Sequence, residues 1–247
     1  MGKDNAKTLF IIAGEHSGDI FAANLIRSLK QIQQEKNPDQ DLHLIGLGGS
    51  NLEREGVRLI ENIVETLAII GVVEVLFHIT KIWSLLKTVE KYFKETPPDG
   101  VILVDYPGFN LKVAELAKQY GIPVNYYVCP QVWAWRENRI TRIVQNVSIL
   151  FTILEFEEPA IRRSRFFPKT DVSCQIHFIG HPIIDFLKRT EVSKDEVFRT
   201  FELDRSKKLV GLLPGSRMSE VKRLLPTMLR AAKRIKELYC DVQFVLP

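Results

Sequence analysis

Two groups of reactive side chains lie where consecutive apolar runs of the sequence end. Asp105 directly follows the run Val101–Val104, and the segment Cys129–Arg136, with two tryptophans, a glutamine and an arginine, follows the run Pro123–Val128. Such apolar runs are typical of strands buried on both faces of a parallel sheet. Open α/β sheets bind their ligands outside the carboxyl ends of these strands. We therefore expect both groups at the sheet edge where chemistry occurs.

Asp105 is the best candidate for a general base. A carboxylate at the mouth of a buried strand is partly desolvated, which makes it more basic, and a positioned base typically contributes about 10²–10⁴-fold to a rate. His16 and His181 are rival bases, because imidazole titrates near neutral pH. Alternatively, Asp105 only accepts hydrogen bonds from the following turn and from Asn110, which we expect to cap the next helix.

A glycine-containing loop, Gly14–Asp19, follows the first apolar run, Lys7–Ala13. Glycines let the backbone approach a ligand, and a helix amino terminus favours negative charge. The spacing is not that of dinucleotide-binding loops, and Glu15 would repel a pyrophosphate, so we interpret Glu15 as an acceptor for sugar hydroxyls. Ser17 and Asp19 either bind the same ligand or only cap the helix.

The aromatic segment leaves several roles open. Trp133 and Trp135 can stack on a sugar, line an acyl groove or belong to the core. Arg136 either binds a phosphate or forms an ordinary ion pair. His181 lies in a Gly-His-Pro sequence after a later strand, where a histidine commonly orders a turn.

The elements that must position these residues alternate between buried strands and helices, which predicts an α/β fold with a doubly wound, mostly parallel, Rossmann-like sheet. After the charged stretch Lys188–Lys208 the pattern restarts with the apolar run Leu209–Leu213. We therefore predict two domains: residues 1–186, which are complete, and residues 187–247, the truncated beginning of a second domain.

A tight turn at the start of this second domain could bind a phosphate. Backbone N–H groups of Gly215, Ser216 and Arg217 would lie at a helix amino terminus, and the guanidinium of Arg217 would add charge. These donors could bind a phosphate without a metal ion. The alternative is an ordinary turn with a helix cap.

The segment Leu67–Leu86 is apolar on nearly all sides. Its length approaches that of a membrane span, but the charged residues within it make spanning costly. It is either a buried helix or a surface for a bilayer or acyl chain, with Lys81, Trp83 and Lys87 at the interface.

Composition excludes several classes of protein. The 247 residues carry a formal net charge of +4 and no dense Lys/Arg tract, which gives no support for nucleic-acid binding. The three cysteines are widely spaced, as expected in a reducing compartment and not at a zinc site. We find neither a signal peptide nor a membrane span, and we expect a cytoplasmic protein.

Several motifs together resemble one family, the bacterial lipid-A-disaccharide synthases. AGEHSGD, IIGVVEVL, VDYPGFN, CPQVWAWRENR, FIGHP and LLPGSRMSEV occur in that family's order and rough spacing. The resemblance implies a two-domain glycosyltransferase of the GT-B type. It would join UDP-2,3-diacylglucosamine to 2,3-diacylglucosamine 1-phosphate, with inversion and without a metal or other cofactor, at the inner-membrane surface.

The resemblance also implies roles for individual residues. Asp105 matches the family's catalytic base, and Gly215, Ser216 and Arg217 match its nucleotide-phosphate loop. Residues that match substrate-binding positions are Glu15, Ser17, Asp19, Asn110, Trp133, Trp135, Arg136 and His181. The first domain would hold the acylated acceptor and the second the UDP group.

The chain departs from the family pattern in ways that keep other functions open. Gly108 stands where relatives can have an acid, and the chain stops before the family's later glutamate-containing loop. A non-catalytic lipid-binding fragment and a UDP-sugar epimerase-like enzyme are therefore the alternatives. The sequence leaves the oligomeric state open, a homodimer included.

Overall fold

The computed structural model describes residues 6–65, 75–170, 172–189, 193–215 and 218–246. The chain divides into two compact units, residues 1–186 and 187–247.

Within the described part of the first unit, seven strands form one sheet whose neighbouring strands are all parallel. The strands are β1 (Lys7–Ala13), β2 (Leu42–Gly48), β3 (Arg58–Asn62), β4 (Gly100–Val104), β5 (Val124–Tyr127), β6 (Ile149–Thr152) and β7 (Gln175–Phe178). Their order is β3-β2-β1-β4-β5-β6-β7. The predicted doubly wound α/β fold is thus confirmed.

Helices cover both faces of this sheet. They are α1 (His16–Lys36), α2 (Ser50–Arg54), α3 (Val75–Glu95), α4 (Pro107–Gln119), α5 (Arg139–Asn146), α6 (Glu157–Arg163) and α7 (Ile183–Arg189). Alternate residues of β1 enter different cores, with Phe10 and Ile12 in one and Ile11 and Ala13 in the other. Because successive strand residues point to opposite faces, both faces of the sheet are buried, as the apolar runs predict.

The strand order reverses between β1 and β4. From β1 the chain moves outward through β2 to β3, and from β4 it moves outward in the other direction to β7. In open α/β sheets, ligands bind in the crevice outside the strand ends at this reversal. The carboxyl ends of β1 and β4 lead into Gly14 and Asp105, so the two loops singled out from the sequence flank the crevice.

The second unit contains α8 (Lys194–Thr200), β8 (Lys208–Gly211), α9 (Met218–Leu238) and β9 (Val242–Val245). β8 and β9 pair in parallel, as expected for a βαβ unit. Ser193 caps α8 by accepting a hydrogen bond from the N–H of Glu196. Large apolar side chains such as Leu213 and Leu238 are each 72% exposed. Two strands and their helices form a marginal core.

Two helix caps considered from the sequence do not form in the structure. α1 begins at His16, so Ser17 and Asp19 lie within its first turn, and neither side chain caps it. α4 begins at Pro107, because proline at the first helical position already has the required φ. Asn110 therefore lies inside the first turn and does not cap α4, which makes that prediction wrong.

The apolar segment Leu67–Leu86 lies partly outside the described residues. In its described part, Leu85 and Leu86 are buried in the core while Trp83 is 55% exposed. Lys81 forms an ion pair with Glu61. Among the helices that the structure describes, none has the length and apolar character required to cross a membrane.

Candidate functional site

The loop after β1 packs against the turn after β4. A Cβ atom at Gly14 would lie 2.3 Å from Cδ1 of Tyr106, so only glycine allows the ring of Tyr106 to approach the backbone. Burial raises the pKa of Tyr106, and the charge of Glu15 raises it further. The structure thus brings Glu15 close to the residue that follows Asp105.

The turn after β4 has an unusual backbone. Asp105 and Tyr106 have φ values of 45° and 47°, and Val128, one residue beyond β5, has a φ of 63°. Residues other than glycine rarely adopt this left-handed region, and a β-branched residue there is an outlier. Each such residue costs on the order of 1–3 kcal/mol, and such strain clusters at functional sites. The strain therefore marks the ends of β4 and β5 as a candidate site.

Two side chains hold the Asp105 turn through its backbone. The carbonyl oxygen of Asp105 accepts a hydrogen bond of 2.6 Å from the hydroxyl of Tyr126 and one of 2.7 Å from Nδ2 of Asn110. Nδ2 of Asn110 also donates to the carbonyl of Val104 at 3.2 Å. Asn110 is completely buried. These bonds fix the two peptide groups on either side of the Cα atom of Asp105.

Tyr126 is suited to this role because it stays protonated. Burial raises the pKa of its hydroxyl well above the ordinary value, and the charge of Asp105 contributes in the same direction. A protonated phenol donates one hydrogen bond, and here the acceptor is the carbonyl of Asp105. Sequence reasoning missed Tyr126, because a tyrosine in a buried strand is most simply interpreted as core.

Asp19 holds the loop after β2 in place. Its buried carboxylate accepts hydrogen bonds from the backbone N–H groups of Gly49 at 2.7 Å, Asn51 at 3.0 Å and Leu52 at 3.4 Å. Nδ2 of Asn51 donates to it at 2.9 Å. Asp19 therefore satisfies the free N–H groups at the start of α2. Ser17, in contrast, is exposed.

A second buried carboxylate, Glu157, lies under the aromatic segment. One carboxylate oxygen accepts a hydrogen bond of 3.0 Å from Nε1 of Trp133. The other accepts from the backbone N–H groups of Ile153 and Leu154 at 2.8 and 2.9 Å. The ring of Trp133 meets that of Phe156 edge to face, with 4.7 Å between centroids. Sequence reasoning missed Glu157, and its position at the start of a helix was the only available signal.

The next part of the aromatic segment carries positive charge. Trp135 is 60% exposed, and the guanidinium of Arg136 lies 4.7 Å from the centroid of its ring. Partial burial lowers the pKa of Arg139, as do the charges of Arg136 and Arg142. Arg142 is paired with Glu115 at 2.7 Å. Stacking on the indole orients Arg136, whose planar fork can bind a phosphate.

The two histidines have different surroundings. Nδ1 of His181 accepts a hydrogen bond of 3.1 Å from the N–H of Ile183, so this histidine orders the turn into α7. Its ring also meets that of Phe21, on α1, at 5.8 Å between centroids. His16 is exposed at the start of α1.

In the second unit, Gly215 has a φ of 112°, which favours glycine, and a Cβ atom there would lie 2.4 Å from Oε2 of Glu220. Ser216 and Arg217 lie outside the described residues. Within the described part of the chain, no group of three or more His, Cys, Asp or Glu side chains is placed to hold a metal ion.

Several solved structures share the fold of this chain. MnaA of S. aureus, in a structure with UDP, has a TM-score of 0.66 and 14% identity, over 98% of this chain and 61% of that one. UDP-GlcNAc 2-epimerase from Neisseria meningitidis, bound to UDP-GlcNAc, has a TM-score of 0.62 and 14% identity. The match covers 98% of this chain and 65% of the epimerase. At these identities the likeness concerns the fold alone. The fold places the chain among the doubly wound α/β proteins.

The family follows from sequence comparison. Residues 9–247 match the family model described as lipid-A-disaccharide synthetase. Lipid-A-disaccharide synthase of Syntrophus aciditrophicus is 42% identical over 243 residues, which are 98% of this chain and 59% of the relative. That of Coxiella burnetii (strain Dugway 5J108-111) is 40% identical over 241 residues, 98% of this chain and 60% of the relative. The chain belongs to the lipid-A-disaccharide synthetase family, and it spans about 60% of the length of these relatives.

Proposed function

We propose that the chain is part of a glycosyltransferase that joins UDP-2,3-diacylglucosamine to 2,3-diacylglucosamine 1-phosphate. The products are lipid A disaccharide 1-phosphate and UDP. The observation that carries the proposal is the position of Asp105 at the strand-order reversal, on a strained turn that Tyr126 and Asn110 hold in place. The names of the relatives support this reaction.

In the proposed mechanism Asp105 acts as general base. It removes the proton from the acceptor hydroxyl while that oxygen attacks the anomeric carbon of the donor, and the bond from this carbon to the diphosphate breaks. In-line attack inverts the configuration. Because the backbone around Asp105 is already fixed, binding of the acceptor need not order the main chain at this residue.

The two units take different parts of the reaction. Residues 1–186 bind the acceptor, with hydrogen bonds from its sugar hydroxyls to Glu15 and with its phosphate opposite the stacked guanidinium of Arg136. Residues 187–247 begin the nucleotide-sugar domain, in which Gly215, Ser216 and Arg217 bind the departing diphosphate without a metal ion. The geometry of Asp19 suits a different task from ligand binding, namely holding the loop after β2.

The direct test is a transfer assay with UDP-2,3-diacylglucosamine and 2,3-diacylglucosamine 1-phosphate, with release of UDP as the readout. The assay compares two proteins. One is this chain, and the other, called the completed chain, is this chain extended at its C-terminus to the length of its relatives. Turnover by the completed chain is the expected result. Binding of the acceptor without turnover in either protein would favour the lipid-binding alternative, and absence of both would contradict the proposal.

We also propose that the protein works in the cytoplasm at the surface of the inner membrane. Trp83 is 55% exposed on α3, and Nζ of Lys112 lies 5.0 Å from the centroid of its ring. An exposed indole beside a cation suits an anionic membrane interface. We expect the chain to float with anionic liposomes, less in high salt and less after Trp83→Glu. Equal flotation of the variant would contradict this membrane contact.

A further inference from the structure

The aromatic segment contains a pair of rings whose arrangement is set by a buried acid. Trp133 and Phe156 meet at 86°, and Phe156 remains 49% exposed. Two rings at this angle enclose an apolar corner, whereas stacking on a sugar requires one flat open face. The corner lies between the loop after β5 and the start of α6.

The polar atom of Trp133 is already used. Its indole N–H donates to Oε1 of Glu157, and an indole has only this one donor. Trp133 can therefore meet a ligand only through the apolar surface of its ring. Phe156 beside it contributes apolar surface as well, so the chemistry of the corner matches an alkyl chain.

The remaining bonds of Glu157 make it a rigid support. Its Oε2 accepts from the N–H groups of Ile153 and Leu154 at the end of β6, and the residue is completely buried. A buried carboxylate with three N–H donors is strongly held, because each bond to a charged group is stronger than a neutral one. The indole of Trp133 is thus tied to the end of a core strand.

We propose that Glu157 is a positioning residue, which fixes Trp133 against Phe156 so that the two rings bind an acyl chain of the acceptor. The inference rests on the proposed function, because it assumes an acylated sugar phosphate as ligand. It adds to that function the site for the lipid part. The cationic surface of Trp135 and Arg136, farther along the same loop, would then face the phosphate.

The variant Glu157→Gln isolates the link to Trp133. The amide of glutamine has nearly the same shape as the carboxylate. Its single oxygen takes the place of Oε2, because there it accepts the hydrogen bonds from the N–H groups of Ile153 and Leu154. The NH₂ group then faces the N–H of Trp133, so that bond alone is lost. Glu158→Gln is the matched control, because Glu158 pairs with Arg162 on the surface of the same helix.

Binding is measured on this chain with radiolabelled 2,3-diacylglucosamine 1-phosphate, with unacylated glucosamine 1-phosphate as the second ligand. We expect Glu157→Gln to weaken binding of the acylated ligand about 10-fold, Phe156→Ala to weaken it several-fold, and Glu158→Gln to change it less than 2-fold. Binding of the unacylated ligand should change in none of them. Equal losses for both ligands would overturn the acyl-chain assignment.

A double-mutant cycle with Trp133→Phe distinguishes a positioning role of Glu157, which acts through Trp133, from a merely structural one. If Glu157 acts through Trp133, Glu157→Gln changes affinity less than 2-fold once the indole is gone. An equal loss in both backgrounds would overturn the inference. Fluorescence of Trp133, isolated by Trp83→Phe and Trp135→Phe, should respond to the acylated ligand and shift in Glu157→Gln.

Three further outcomes are decisive. If Glu157→Gln does not fold, Phe156→Ala is the remaining test, because the half-exposed ring of Phe156 is not part of the core. Unchanged binding of the acylated ligand by Phe156→Ala would then overturn the inference. Wild-type binding with unaffected variants contradicts only this inference. Absence of acylated-ligand binding by the wild-type chain contradicts the proposed function and the inference together.

Discussion

Asp19 and Asp105 follow neighbouring strands of the same sheet, yet they are held in opposite ways. Asp19 lies in an ordinary helical turn, and its carboxylate accepts hydrogen bonds from the loop after β2. At Asp105 the backbone carbonyl is the acceptor, side chains are the donors, and the backbone is strained. Asp19 thus stabilises a neighbouring loop through its side chain, whereas neighbouring side chains hold Asp105 through its main chain.

This difference separates a structural acid from a catalytic candidate. Hydrogen bonds from N–H groups of the loop after β2 occupy the carboxylate oxygens of Asp19, which leaves them little capacity to accept hydrogen bonds from a ligand. At Asp105, Tyr126 and Asn110 hold the main chain instead, at the carbonyl that follows the strand end. An acidic residue near a strand end is therefore not sufficient evidence of a catalytic role. It is more informative to know which of its atoms, carboxylate or backbone, form hydrogen bonds with neighbouring loops and side chains.

The largest expected effect on stability concerns the structural acid. Asp19→Asn replaces an oxygen that accepts N–H groups with an NH₂ group, so it should lower the free energy of unfolding by about 3 kcal/mol. Urea denaturation followed by circular dichroism measures the change. Asp39→Asn, at an exposed position, is the matched control and should stay within about 0.5 kcal/mol. A loss below about 1 kcal/mol would show that the Asp19 bonds contribute little and would break the comparison.

A smaller effect is expected from the grip on Asp105. Tyr126→Phe keeps the ring but removes one of the two side-chain donors to the carbonyl of Asp105. We therefore expect kcat of the completed chain to fall about 10-fold, equivalent to about 1.4 kcal/mol. KM for the acceptor should stay within 2-fold. Tyr127→Phe, on the opposite face of the same strand, is the control. A variant that is less stable but turns over normally would reduce Tyr126 to a core residue.

The pKa of Tyr126 predicts a further effect at high pH. Because burial raises the folded-state pKa above the ordinary value of 10.0, the folded protein retains this proton longer than the unfolded chain does. The stability from Tyr126 is therefore complete below about pH 10 and is lost as pH rises above it. Unfolding free energies measured from pH 9 upward should fall less steeply in Tyr126→Phe. Parallel curves for both proteins would argue against a buried, protonated phenol.

The smallest effect concerns the thiols beside the strained loop. Burial raises the pKa of Cys129 well above its ordinary value and that of Cys174 to about 11, so both are mainly protonated at pH 8. Thiolate is the reactive form, and Cys240 is the exposed cysteine. A maleimide should label one thiol quickly in the native chain, none quickly after Cys240→Ser, and all three in urea. Fast labelling of Cys129 would show that the strained region opens locally.

Local patterns predicted the sheet well, because each buried strand is a short apolar run bounded by turn residues. β4 illustrates this, since Val101–Val104 was sufficient to place Asp105 at a strand end. The inward residues of α5, Ile140, Ile143 and Val144, also follow from helical spacing alone. These predictions depend only on neighbours along the chain.

The supporting residues of the site could not be predicted in this way. The partners of Asp19 lie some thirty positions later, and Glu157 meets an indole 24 positions earlier. Such bonds depend on which loops the sheet order brings together, and one sequence carries no direct signal for them. The misplaced cap at Asn110 has a local cause, because Pro107 starts the helix three residues earlier.

The central claim is that the carboxylate of Asp105 is the base for transfer. Its most direct test measures kcat and acceptor affinity together for Asp105→Ala in the completed chain. The account predicts a loss of turnover of about 10²–10⁴-fold with the dissociation constant of 2,3-diacylglucosamine 1-phosphate unchanged within 2-fold. Near-normal turnover of this variant would contradict it.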